Sequence, residues 1–497
     1  MLKSIFHNLN FYAQKTAFCI QNTRYNYAEL SQSIAAIQQK MKSHSAADKS
    51  IAILCYNNIE TYASILAAIF LGKAFIPINP KYPKERINQI IEQAESSKFY
   101  SSKIEEEFLT AYGEENIINT EGERLDEEVV FYERNKDEFA YILFTSGSTG
   151  QPKGVPISYF ALESFLDAFF DIYTDIDEND RFLQMFDLTF DLSLMSYLAP
   201  LCKGSSIYTT SETEIKYMSV YELLEEEEIT FALMVPSILS YLKPFFDDIR
   251  LEKLRYSLFC GEAFPENLCL EWKDCVPNAK IYNVYGPTEA TIFCSYYFCE
   301  TQNKSYNGIL SIGKAMKNMQ LSIVNEEGDF LPAGDKGELL LSGYQLTPAY
   351  LKNEVKNKES FLFKEVNGEN IRFYRSGDLC FQDEDGDFMY CGRIDHQVKI
   401  DGYRVELGEI EEHVRSHFDM KNLVVLAFTN QIGNTQLHLF LEGFNGDLSE
   451  IKQHLKNTLP DYMQPTNITN LVELPLNNNG KIDRNKLKAE LELENAN

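Results

Sequence analysis

The chain has 497 residues, a net charge of −28 and 44% hydrophobic residues. That much apolar material excludes general disorder and a disulfide-stapled miniprotein. The acidity argues against wrapping nucleic acid or resting on an anionic membrane, because phosphate binding needs a basic field. A local basic pocket for one nucleotide remains compatible with it.

The first residues, MLKSIFHNLNFYAQKTAF, contain neither a long apolar core nor a small-residue cleavage site, so no secretory signal is expected. The apolar run Tyr62–Leu71 is too short to span a bilayer and reads as a buried helix, so no membrane insertion is expected. The 10 cysteines are scattered without a CxxC pair; the closest are Cys294 with Cys299 and Cys269 with Cys275. They read as reduced thiols of a cytoplasmic protein. Of the 7 histidines only His7 and His44 precede residue 396, which leaves little material for histidine catalysis or a zinc site there.

Short β-branched runs alternate with helical patterns. Ser50–Leu54 reads as a strand, Ile59–Leu71 as a helix, Ala74–Ile78 as a strand and Lys84–Ala94 as a helix. This alternation predicts stacked α/β layers with mostly parallel sheets. From about Ser305, short strands with Gly/Asp turns predict a small β-rich subdomain over about 305–394. Beyond Asp395 the pattern is mixed again, with a helix around Leu407–Phe418 and a strand around Leu423–Phe428. These changes place a boundary near 395, between a large domain at 1–394 and a small α+β domain at 395–497. The acidic runs Glu105–Glu107 and Glu225–Glu228 read as solvated helix faces.

The strongest local signal is an apolar strand running into TSGSTG and then PKG, residues 139–154. Gly147, Gly150 and Gly154 permit positive φ and close backbone approach. Backbone N–H groups, the hydroxyls of Thr145, Ser146, Ser148 and Thr149, and the Lys153 ammonium can together ring an anion. The spacing is neither that of the P-loop G-x-x-x-x-G-K-[ST] nor that of the dinucleotide fingerprint.

This segment resembles the signature of the adenylate-forming superfamily: acyl-CoA synthetases, luciferases and nonribosomal peptide synthetase adenylation domains. NVYGPTEAT (283–291), YRSGD (374–378), YCGRIDHQVKIDGYRVELGEIE (390–411) and NNGKIDR (478–484) follow in the family's order. The resemblance implies that ATP and a carboxylate form an acyl adenylate with loss of pyrophosphate, and that a thiol then attacks it. It implies an ATP site of Thr145, Ser146, Gly147, Ser148, Thr149, Gly150, Lys153, Asn283, Val284, Tyr285, Gly286, Pro287, Thr288, Asp378, Tyr390, Cys391, Gly392, Arg393 and Lys481. Within it Tyr285 offers a flat face to adenine, Thr288 reaches the α-phosphate, Glu289 is the hard oxygen ligand for Mg²⁺, and Asp378 accepts both ribose hydroxyls. Lys481 is implied to bridge the substrate carboxylate and the α-phosphate, and Asp395 to be the hinge. Gly402, Tyr403 and Arg404 are implied to approach the site for thiol transfer, which adds Arg404 to Lys481, Thr288 and Glu289 as catalytic residues.

Asp191, in FDLS, matches the family's aspartate that pairs with the α-ammonium of an amino acid. The other pocket positions implied are Leu192, Met195, Leu233, Leu258, Cys260, Val284, Ile292 and Phe293. They offer no polar partner, so a small apolar side chain fits best, and Met195 and Phe293 would exclude a large one. FDLSLM, LFCGE and YGPTEAT resemble D-alanine–carrier protein ligases, in which the cysteine matching Cys260 helps select the D-hand. Val284, Phe293 and Lys73 depart from that pattern. The resemblance therefore implies a ligase charging a small amino acid, D-alanine favoured, onto the phosphopantetheine of a separate carrier protein. The alternatives are glycine, L-alanine, serine or proline, or acyl-CoA synthesis, against which Asp191 argues.

Overall fold

A computed structural model describes residues 1–147, 151–395, 397–420, 422–476 and 482–495, with side chains to 491. A six-stranded sheet runs in the order Ile117–Asn119, Phe99–Ser101, Ser50–Leu54, Ala74–Ile78, Phe139–Thr145, Lys153–Ser158. All neighbours are parallel except the last pair. A nine-stranded sheet has a parallel interior from Lys280–Tyr285 to Thr16–Ile20 and antiparallel strands at both edges.

Two helices fill the space between these sheets, and their sequences explain why. Ile59–Phe70 buries every residue except Glu60, and Asp191–Lys203 every residue except Lys203. A helix apolar on all sides must be covered on all sides. Asn58 fixes the start of the first by accepting the Thr61 N–H at 3.0 Å. Gly204, at φ 79°, ends the second. One continuous core joins Ile51, Phe75 and Tyr141 of the first sheet to Phe18, Phe182 and Phe231 of the second.

The predicted β-rich segment is an antiparallel sheet of Met319–Val324, Gly337–Gly343, Glu369–Gln382 and Phe361–Val366, with Phe388–Arg393 on the long strand. Its register sets Asp378 opposite Arg393. Next comes a hairpin, Gln397–Ile400 with Tyr403–Glu406, turned by Asp401 at φ 48° and Gly402 at φ 83°. Two positive φ values at the tip match the right-handed twist of the strands. A three-stranded sheet follows, Leu423–Thr429, Thr435–Glu442 and Asn467–Leu471, with the helices Leu407–Phe418, Leu448–Thr458 and, last among the described residues, Arg484–Asn495. It has a core of its own in Ile410, Val425, Leu439 and Ile451. The fold is thus α/β, with a large N-terminal body and a small C-terminal one. Among the described residues no helix is long and apolar enough to cross a membrane.

Candidate functional site

The carboxyl ends of parallel strands are where side chains converge in such sheets. Here the ends of Phe139–Thr145, Tyr256–Phe259 and Lys280–Tyr285 deliver Thr145, Ser146, Cys260, Tyr285, Gly286, Pro287 and Thr288 to one cavity of about 70 Å³. Asp191 enters it from the first residue of its helix, and Asp378 and Arg393 from the β-rich sheet. Gly402 and Arg404 close it from the C-terminal hairpin.

On one side the Tyr285 hydroxyl donates to Asp378 Oδ2. Arg393 Nη1 donates to Asp378 Oδ1 at 3.0 Å. The rest of the same guanidinium forks onto Asp395, Nε to Oδ1 at 2.9 Å and Nη2 to Oδ2 at 2.6 Å. Burial pushes the Asp395 carboxyl up, but Arg393 more than offsets this and holds it below the usual carboxylate range. Behind Tyr285 lies a narrow slot of about 30 Å³ walled by Asn283, Val284, Ile312 and Tyr390. Asn283 spends its amide on the Ser311 carbonyl at 2.8 Å, so it braces the wall. Gly261, within LFCGE, also lines this slot, as do Ala263 and Phe264, to which no motif pointed. Cys391 and Gly392 lie on the strand Phe388–Arg393 away from both cavities.

Glu289 is wholly buried and, like Gly147 and Lys153, does not itself line the larger cavity. Arg404 Nη1 donates to both its oxygens, at 3.0 and 2.9 Å, and the Tyr350 hydroxyl donates to Oε1 at 2.6 Å. Burial raises its pKa, yet Arg404 and Lys153 prevail and keep it below normal. Lys153 pairs with Glu406 at 3.2 Å, the Ser146 hydroxyl donates to the Arg404 carbonyl at 2.7 Å, and the Gly147 N–H donates to Glu409 at 3.0 Å. The other Glu409 oxygen takes Arg86 Nη1 at 3.0 Å; these two side chains are 3% and 1% exposed. Arg86 lies outside every motif, and Glu406 and Glu409 lie within the 390–411 motif without a role assigned to them, because each is an ordinary charge until the hairpin is docked. Ser148, Thr149, Gly150 and Lys481 lie outside the described residues.

Asp191 is buried, and its Oδ2 has no hydrogen-bond partner. Burial first, and then the charge of Glu289, raise its pKa to about 7. Leu192, Cys260 and Ile292 form the apolar wall beside it. Burial pushes the Cys260 thiol up to about 12, so it stays protonated and acts as a small apolar group. Thr291 and Ile292 both hold positive φ, 55° and 74°, a strained state for β-branched residues. The Thr291 hydroxyl anchors it by donating to the Gln345 carbonyl at 2.5 Å. Met195, Leu233, Leu258 and Phe293 do not reach the cavity surface; they pack behind it, Phe293 edge-on to Phe165 at 4.9 Å. Side chains alternate across a strand, so half the positions matched to a pocket stiffen its wall from the core side. Val284 lines the slot and not the Asp191 end.

Glu289 suits a divalent ion only in a particular way. Among the described residues no group of three or more His, Cys, Asp or Glu is arranged around a metal position. One buried carboxylate fits Mg²⁺, which takes one or two protein carboxylates and draws further ligands from substrate phosphates.

The sequence pattern of the AMP-binding enzyme family matches residues 5–351. Tyrocidine synthase 3 of Brevibacillus parabrevis is 33% identical over 93% of this chain, which spans only 7% of that protein. Tyrocidine synthase 1 of the same organism is 30% identical over 96% of this chain, which spans 44% of it. A D-alanine–D-alanyl carrier protein ligase of Bacillus licheniformis is 28% identical over 96% of each chain. Among solved structures, the Vibrio cholerae adenylation domain AlmE in complex with glycyl-adenosine-5'-phosphate superposes with a TM-score of 0.87 at 27% identity, covering 99% of this chain and 97% of that one. With described residues of four signature segments lining one cavity, the chain belongs to the AMP-binding enzyme family.

Proposed function

We propose that this protein activates a small amino acid with ATP as an aminoacyl adenylate and passes it to the phosphopantetheine thiol of a carrier protein. The observation that carries this reading is the Asp191 carboxylate, buried at the cavity wall with one oxygen unpartnered. A buried anion lacking a counter-charge is costly, and an α-ammonium supplies one. A fatty acid would leave it unpaired. The wall of Leu192, Cys260 and Ile292 is apolar, which favours a small apolar side chain over a polar one. D-alanine is the first choice, on the full-length likeness to the ligase. Glycine is the second, on the likeness to the glycyl-adenylate complex.

In this reading Tyr285 and the slot behind it hold adenine, and Asp378 accepts the ribose hydroxyls. Thr145, Ser146, Gly147 and Lys153, with Ser148, Thr149 and Gly150, surround the phosphates, and Thr288 reaches the α-phosphate. Glu289 would hold Mg²⁺ together with those phosphates, and the bound ion would offset their charge. Lys481 brings the two anionic reactants together, which favours attack of the carboxylate on the α-phosphate. The observed pose fits the second step better. Gly402–Arg404 cover the cavity, and Arg404 and Glu406 occupy Glu289 and Lys153, the groups that adenylation requires. The residues from 395 onward then form a domain that turns about Asp395 between the two half-reactions.

ATP–pyrophosphate exchange with D-alanine, glycine, L-alanine, serine, proline and a set of fatty acids tests the proposal. Exchange with a small amino acid and almost none with fatty acids is expected. Exchange driven by fatty acids alone would overturn it.

A further inference from the structure

Glu262 lies two residues beyond Cys260 and has no part in the roles assigned above. Its Oε2 accepts the Ser237 N–H at 2.9 Å. Its Oε1 accepts the Ser237 hydroxyl at 3.2 Å and also, from the C-terminal hairpin, the Gly402 N–H at 2.9 Å. The fit around this bond is tight. A Cβ on Gly402 would stand 2.7 Å from Val235 Cγ1, and one on Gly261 would stand 3.3 Å from the Gly402 Cα. Both glycines have positive φ, 83° and 92°, so the seat accepts the hairpin tip only as bare backbone. Asp401, beside Gly402, brings a like charge toward Glu262, and the Lys216 ammonium faces both.

We propose that Glu262 is a positioning residue for thiol transfer: it holds the Gly402–Arg404 hairpin over the cavity by accepting the Gly402 amide. The contact exists only while the hairpin is docked, so its energy biases that pose without serving the adenylation pose. A hydrogen bond to a charged acceptor is strong enough to shift a two-pose equilibrium roughly ten-fold. This inference rests on the two-pose reading above.

The test uses the full chain with Glu262→Ala and Glu262→Gln. Glutamine keeps an acceptor oxygen for Gly402. Glu262→Met, which fills the space without an acceptor, replaces the alanine variant should that one fail to fold. Adenylation is read by pyrophosphate exchange, and transfer by single-turnover delivery of the aminoacyl group from preformed adenylate to pantetheine. We expect Ala or Met to slow transfer about ten-fold and exchange less than about three-fold, and Gln to restore most of the transfer. Hydrogen–deuterium exchange over residues 398–406 should quicken with Ala or Met and stay as wild type with Gln. Equal losses in both half-reactions, no difference between Ala and Gln, or unchanged amide protection would overturn the proposal. Should no amino acid support exchange, the functional reading fails while amide protection still decides whether Glu262 holds the hairpin.

Discussion

Asp191 illustrates how a single carboxyl couples substrate choice to pH and stability. Only its ionised form attracts an ammonium, and its pKa is raised to about 7, chiefly by burial. The amino-acid KM is therefore expected to rise as pH falls through 7 and to level off above it, as measured by exchange across pH 6–9. Asp191→Asn should remove this dependence and lower exchange by about 100-fold, since a desolvated ion pair is worth about 3 kcal/mol when one partner is removed. The same variant should melt higher than wild type at pH 8 without substrate. A carboxyl whose folded pKa lies above its unfolded value destabilises the fold once pH exceeds the unfolded pKa, and asparagine carries no such charge. Cys260 acts by size. Cys260→Ala should raise the ratio of L- to D-alanine activity while leaving the KM for ATP nearly unchanged; an unaltered ratio would remove the thiol from hand selection.

At the scale of elements, the Gly-Pro turn after the strand Lys280–Tyr285 bears on both ends of the cavity. A Cβ on Gly286 would lie 2.4 Å from the Phe293 Cα and 2.9 Å from the Cys294 nitrogen, both backbone atoms that cannot swing aside. Gly286→Ala should therefore push apart the turn carrying Thr288 and Glu289 and the strained pair Thr291–Ile292. A cost of about 1–3 kcal/mol in stability is expected from such overpacking, together with a higher KM for ATP and amino acid alike. Thermal melting and exchange kinetics check it.

At the scale of the whole molecule, the Arg86–Glu409 pair joins residues 323 apart in sequence across the interface of the two bodies. Removing one partner of a buried ion pair strands the other charge, at about 3–5 kcal/mol. Arg86→Ala should consequently slow thiol transfer by two orders of magnitude or more and spare pyrophosphate exchange. Lys481→Ala should do the reverse, losing exchange while passing on a supplied aminoacyl adenylate. Asp395→Pro fixes φ near about −65° and should freeze the domain in one pose. If all three variants slow both half-reactions equally, the C-terminal body is only a lid.

Local pattern along the chain was enough for the layers and for the family resemblance. Periodicity gave the strands Ser50–Leu54 and Ala74–Ile78 and the buried helix between them, because alternation and all-round apolarity are local properties. The family resemblance of contiguous motifs, rather than periodicity, pointed to Tyr285, Glu289, Asp378 and Arg393, and Tyr285, Asp378 and Arg393 line one cavity. Tertiary structure alone decided which pocket positions face the cavity, because strand parity and helix rotation sent Met195, Leu233, Leu258 and Phe293 to the core side. It alone decided the partners of the phosphate-side groups. Arg86 carries no local signal, and the motifs that contain Glu262, Glu406 and Glu409 say nothing of their partners; those pairings come from docking of the hairpin, and electrostatic pairing across an interface depends on distances in space that no spacing along the chain encodes.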